Sequence, residues 1–149
     1  MQIGIIVNNL NSSQLVYDLT KELNLISSYH SVCLFYQNLS YCPFTTNFSV
    51  LNYNKANSCY FDKDSLLIAT NVSSALDLSQ MKNASKKLFY VYELEFLDNK
   101  NFNKNYKAYN SLPIITRSKS YQEALKNYAN VESKILPLKI NEILWTLNK

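Results

Sequence analysis

"QIGIIVNNLNSSQLVYDL", residues 2–19, is the stretch whose reading decides the fold. Ile3, Ile5, Ile6 and Val7 are interrupted only by Gly4, so the run offers no polar face. A strand apolar at successive positions is covered on both sides, which points to a parallel sheet with helices on each face. Residues 8–13 are polar and read as a loop. Beyond them Val16, Leu19, Leu23 and Ile26 fall on one face of a helix over 13–26, with Ser12 or Ser13 as its N-cap.

Similar segments recur along the chain. Strands are predicted at 2–7, 31–36, 48–52, 65–69, 87–92, 113–116 and 134–137, and "LLIA" and "LFYVY" again lack alternation. Asn71 and the residues after it cap a helix carrying Ala75, Leu78 and Met81. A helix over 118–128 carries Tyr121, Leu125 and Tyr128, opened by Ser118 or Ser120, and a last one over 140–147 carries Ile143, Leu144 and Leu147. Alternating strands and helices predict an α/β class: a Rossmann-like, doubly wound, mostly parallel sheet of six to seven strands flanked by helices. At 149 residues the chain reads as one domain, 1–149, large enough to bury a core.

The opening loop excludes the common nucleotide motifs. A dinucleotide fingerprint needs G-x-G-x-x-G between strand and helix, and a P-loop needs G-x-x-x-x-G-K-[ST]. The only glycine, Gly4, lies inside the first strand. NAD, FAD and ordinary NTPase chemistry are therefore not expected, and no cofactor is predicted. Asn tolerates left-handed backbone angles, so the turn is feasible without glycine. Asn8, Asn9 and Asn11 offer donors and acceptors that suit a sugar or a single anionic group; the plainer reading is that this loop only caps the helix.

Ligands of open α/β sheets sit at the carboxyl ends of the strands. The groups placed there are Asn8, Asn9 and Asn11 after the first strand and Thr70 and Asn71 after the fourth. Glu93 and Glu95 follow the fifth, and Arg117 and Ser118 follow the sixth. Glu93 and Glu95, set among Tyr90, Tyr92 and Phe96, are the candidate catalytic pair, as a general base or as acceptors for sugar hydroxyls. Otherwise one caps a helix and the other is solvated. Arg117 is an anion-site candidate.

His30, the single histidine, precedes the second strand at the opposite edge, which argues against a catalytic role. Cys33, Cys42 and Cys59 are odd in number and lack C-x-x-C spacing, so neither a disulfide framework nor a metal site is predicted, and a reduced, cytoplasmic setting fits better. No run approaches the roughly 18 apolar residues of a membrane helix, and no secretory leader is read, so no membrane association is expected. The net charge of +4 comes from 14 dispersed lysines and a single arginine, Arg117. Nucleic-acid sites favour bidentate arginine contacts, so nucleic-acid binding is not predicted, even at the lysine- and asparagine-rich residues 99–107. The 20 asparagines read as the product of an AT-rich genome, and the five Asn-x-Ser triplets follow from that composition.

The order "MQIGIIVNNLNSSQ", "LLIATNVSSALDL", "KKLFYVYELEFL", "PIITRSKSYQEALKNY" and "ESKILPL" resembles the N-terminal, acceptor half of GT-B glycosyltransferases. The chain also looks like small proteins of T4-like marine phages, which would place it in the host cytoplasm. The GT-B resemblance implies a half domain whose partner half, which binds the nucleotide-sugar donor, has no counterpart in these residues, and it lacks that family's Gly-rich first loop. Two functions follow as expectations. One is a non-catalytic binding or regulatory module that pairs with itself or with another protein. The other is a glycosyltransferase-like enzyme, acting as a dimer or with a separate donor-binding subunit, with Glu93 or Glu95 as base and a nucleotide sugar or glycan as ligand. A structural part of a virion is a third reading.

Overall fold

In the computed structural model, which describes residues 1–53, 63–82 and 85–147, strand β1 (Gln2–Leu10) leads through helix α1 (Gln14–Ile26) to β2 (Ser31–Leu39) and β3 (Ser49–Asn52). There follow β4 (Leu66–Ala69), α2 (Val72–Gln80), β5 (Lys86–Val91), a 3-10 turn at Glu95–Leu97 and α3 (Phe102–Tyr109). The chain continues with β6 (Ile114–Thr116), α4 (Lys119–Ala129), β7 (Ser133–Ile135) and α5 (Ile140–Leu147). The seven strands form one sheet in the order β3-β2-β1-β4-β5-β6-β7, with every neighbouring pair parallel. This is a Rossmann-like α/β fold, and its strand order reverses direction at β1.

Strand parity sends side chains to two separate cores. Ile3, Ile5 and Val7 of β1, with Leu34, Ile68, Leu88 and Tyr90, meet Leu19 and Leu23 of α1 and Ile143 of α5. Ile6, Leu67, Ala69, Phe89 and Val91 point the other way and pack with Ala75 and Leu78 of α2, Tyr109 of α3 and Leu125 of α4. Both faces of the central strands are thus sealed, which is why their sequences carry no polar alternation. Cys59 lies outside the described residues. No helix among the described residues is long and apolar enough to cross a membrane.

Side chains supply the helix starts. Ser13 Oγ accepts from Val16 N–H at 3.4 Å, Asn71 Oδ1 from Ser74 N–H at 2.9 Å, Asn101 Oδ1 from Lys104 N–H at 3.1 Å and Ser118 Oγ from Tyr121 N–H at 3.3 Å. Two features differ from the sequence reading. β1 runs on to Leu10 and β2 to Leu39, because the two strands keep pairing beyond the rest of the sheet and Leu10 is buried. Helix α3 occupies residues read as a surface stretch: it buries Ala108 and Tyr109, and its first inward position is filled by a fully buried Asn105 in place of an apolar residue. Asn105 Nδ2 donates to Asn99 O at 2.7 Å, and its Oδ1 accepts from Asn99 Nδ2 at 3.4 Å, so its polarity is satisfied locally.

Asn130 stands where many helices end on glycine, with φ 54° and ψ 40°, and its N–H closes α4 on Lys126 O. A side chain without the local hydrogen bonding of Asn bears the full left-handed penalty there. Asn130→Ala is expected to destabilise the protein by about 1 kcal/mol, and Asn130→Gly to be neutral or stabilising. Urea unfolding of both variants checks this; an Ala variant as stable as the Gly variant would contradict it.

Candidate functional site

The cleft begins where β1 loses one neighbour. Its pairing with β4 ends at Ile6–Ala69, and Thr70 closes that edge by donating its N–H and Oγ1–H to Ile6 O at 3.2 and 2.8 Å. On the other side the β1–β2 ladder continues to Leu10–Leu39. The step between them opens a cleft of about 260 Å³ at the strand order's reversal point, where open α/β sheets place ligands. It brings together Asn8, Asn9, Asn11, Thr70, Asn71, Glu93 and Glu95, with Ser13 and Tyr92 beside them and Val7 and Leu15 as its apolar part.

The amide side is held by local hydrogen bonds. Asn38 Nδ2 donates to Asn8 Oδ1 at 3.3 Å, and Asn11 Oδ1 accepts from Ser13 N–H at 3.1 Å. Asn8 and Asn9 are exposed and Asn11 half-buried. Asn71 is only 9% exposed and spends its Oδ1 on the start of α2, with Ser74 Oγ accepting from Asn71 N–H in return. Its Nδ2 is buried without a hydrogen-bond partner, and among the described residues it is the one such group that borders the cleft. An unsatisfied buried donor costs about 1–3 kcal/mol.

The facing wall is acidic. Glu95 Oε1 accepts from Val72 N–H, the first helical amide of α2, at 2.7 Å, while Glu93 is exposed on the cleft wall. Burial raises the Glu95 carboxyl above its ordinary range; the Val72 N–H and then Lys104 pull it back, and Glu93 adds to the rise. Tyr92, buried just past β5, donates its hydroxyl to Asp18 Oδ2 at 2.7 Å, and Gln14 Nε2 donates to Asp18 Oδ1 at 2.8 Å. Burial first, then Asp18, pushes the Tyr92 phenol up to about 12, so it stays a donor at neutral pH.

Arg117 and Ser118 do not line the cleft. The Arg117 guanidinium lies 4.7 Å over the Tyr92 ring and 4.7 Å over the Tyr121 ring, and donates to Tyr121 Oη at 2.6 Å. It backs the Tyr92 wall from behind. Ser118 is the N-cap of α4. Sequence reasoning missed Asp18, which bonds Tyr92 from 74 residues away; no local signal marks it. Tyr92 was within reach, as the polar-tipped aromatic closing a strand end. His30 lies in the connection before β2, at the amino end of the sheet.

A cleft with amide donors and acceptors on one wall and carboxylates on the other can hydrogen-bond several hydroxyl groups at once, since each hydroxyl both donates and accepts. Its acidic wall offers an anion nothing.

The Glu95 carboxyl has a stability signature. Its folded-state pKa lies above the unfolded one, so the native state holds this proton longer. Its contribution is largest in acid and is lost as pH rises from about 4.3, the ordinary glutamate value, through the raised folded value. The wild-type unfolding free energy minus that of Glu95→Gln is therefore expected to fall with rising pH across that window and then level off. Urea unfolding of both proteins over a pH series measures it; a difference that grows with pH would overturn the assignment. Comparison with protein-family models, curated proteins and solved structures returns no match.

Proposed function

We propose that this chain is a non-catalytic binding or regulatory module of GT-B-like half-domain character, whose cleft takes the hydroxyl groups of a sugar or glycan end. The unpartnered Asn71 Nδ2 beside the cleft carries this reading: a ligand oxygen placed there would relieve its cost. The Asn8, Asn9 and Asn11 amides and the exposed Glu93 carboxylate supply further partners of the kind a polyol needs. The order of strand-end motifs, which resembles the acceptor half of GT-B glycosyltransferases, points to the same ligand class.

Thermal unfolding against neutral mono- and oligosaccharides, nucleotides and nucleotide sugars tests it. A ligand confined to the native state adds about 2.7 kcal/mol at a hundredfold excess over its Kd. An upward shift with a neutral saccharide is expected, and Glu93→Ala should weaken that binding about tenfold, the cost of one charge-assisted hydrogen bond. No shift across the panel would reject a sugar ligand.

A second reading is favoured by Glu93 itself, an exposed carboxylate facing the cleft while Glu95 is taken up by α2. In that reading Glu93 is the general base of a glycosyltransferase-like enzyme that gains its donor site from a second copy or another subunit. Sugar transfer from a nucleotide sugar, assayed at high protein concentration, is then expected and lost in Glu93→Gln. Transfer undiminished in that variant would end the assignment.

A further inference from the structure

Helix α2 has nine residues, and its aligned peptide dipoles concentrate positive potential at its first amides, beside the cleft. In open α/β folds a ligand's anionic group commonly occupies such a place. Here a side chain already does. Glu95, 23 residues further on, returns from the 3-10 turn after β5 and sets Oε1 2.7 Å from Val72 N. Asn71, the N-cap residue immediately before Val72, is nine-tenths buried with an unpartnered Nδ2 at the same end of the helix. Burial raises the Glu95 carboxyl above its ordinary range in spite of the Val72 N–H and Lys104, so the chain keeps a carboxylate at this place against a desolvation cost that these groups do not fully offset. Glu93 adds a second negative charge on the rim.

We propose that Glu95 is a specificity-determining residue that stands in for a ligand anion at the start of α2, so that the cleft admits neutral, hydroxyl-bearing ligands and refuses phosphorylated ones. The inference rests on the reading of the cleft as a sugar site and deepens it, by separating sugars from sugar phosphates and nucleotides. Removing the carboxylate converts a filled anion place into a vacant one. Val72 N–H would then lose its side-chain acceptor, next to Asn71 of the cleft lining.

The test titrates inorganic phosphate into the wild type, Glu95→Ser and Glu95→Ala, following the backbone amide signals of Val72, Ser73 and Ser74 by NMR. Saturable shifts at these amides are expected in both variants, at an affinity about tenfold or more above the wild type. Glu95→Ser keeps a polar side chain but is too short to cap Val72 N–H, so it carries the test if Glu95→Ala does not fold. Phosphate affinity unchanged in a folded variant overturns the proposal. So does a wild type that binds phosphate at Val72 as well as the variants do, and so do shifts confined to surface lysines in all three proteins. A parallel titration with neutral saccharides separates the two readings. Failure of every saccharide on the wild type, with phosphate gained by the variants, removes the sugar ligand and leaves the anion block standing. Saccharide binding with no gain of phosphate removes the anion block alone.

Discussion

The cleft depends on a mismatch in strand length at the centre of the sheet. β1 has nine residues and β4 has four, yet they are neighbours. Their ladder ends at Ile6–Ala69, while β1 still has β2 to pair with as far as Leu10. A lone extension of β1 would leave backbone groups unpaired on both edges; the equal length of β2 holds one edge. The other edge becomes a wall, and the chain leaving β4 turns at once into α2 through Thr70 and Asn71. Thr70 spends two donors on the last carbonyl of the shared ladder, which fixes where that turn occurs. The Asn residues after β1 and the start of α2 are therefore brought face to face by the ladder.

The acidic wall follows from what the neighbouring strand can deliver. β5 ends at Val91, and the chain then passes the cleft as Tyr92, Glu93 and the 3-10 turn that carries Glu95. Tyr92 is clamped on both sides, by Asp18 at its hydroxyl and by Arg117 over its ring. With that ring fixed, Glu93 and Glu95 diverge: one stays at the solvent edge and the other turns in toward α2. A half-buried carboxylate is costly unless donors receive it, and the Val72 amide supplies one such donor. The same residue types, two positions apart, thereby acquire different chemistry.

Most of the fold was legible because it is written in periodicity. Uninterrupted apolar runs marked the buried strands, and Ser or Asn before an apolar 3.6-residue repeat marked three of the helices. The rule that ligands gather at carboxyl ends of strands then placed Asn8, Asn9, Asn11, Thr70, Asn71, Glu93 and Glu95, which do share one cleft. What escaped was whatever depends on a partner distant in sequence. Helix α3 turns a buried Asn105 inward, where its amide donates to the nearby Asn99 carbonyl and also to Tyr128 Oη, 23 residues further on. The continuation of β1 to Leu10 needs β2 beside it, and residues 8–10 alone read as loop. Arg117 was legible as a strand-end cation and illegible as a ring clamp, since its two tyrosines come from separate elements.

The scarcity of glycine ties these features together. Nucleotide-binding versions of this architecture use glycine to let phosphate oxygens approach the backbone at the first turn. This chain has a single glycine, and it sits within β1. Asparagine takes over several duties that glycine or a bound group could perform. It closes α4 in a left-handed conformation at Asn130, shapes the first loop through Asn11 and opens α2 through Asn71. Asparagine side chains bring both a donor and an acceptor wherever they are placed, so a loop built from them presents amides where a glycine loop would present bare backbone. Such a surface matches hydroxyl groups better than it matches phosphate. The carboxylate that fills the start of α2 acts in the same direction, because it withdraws that helix dipole from any incoming anion. The loop composition and the placement of Glu95 arise in different parts of the sequence and favour the same class of ligand.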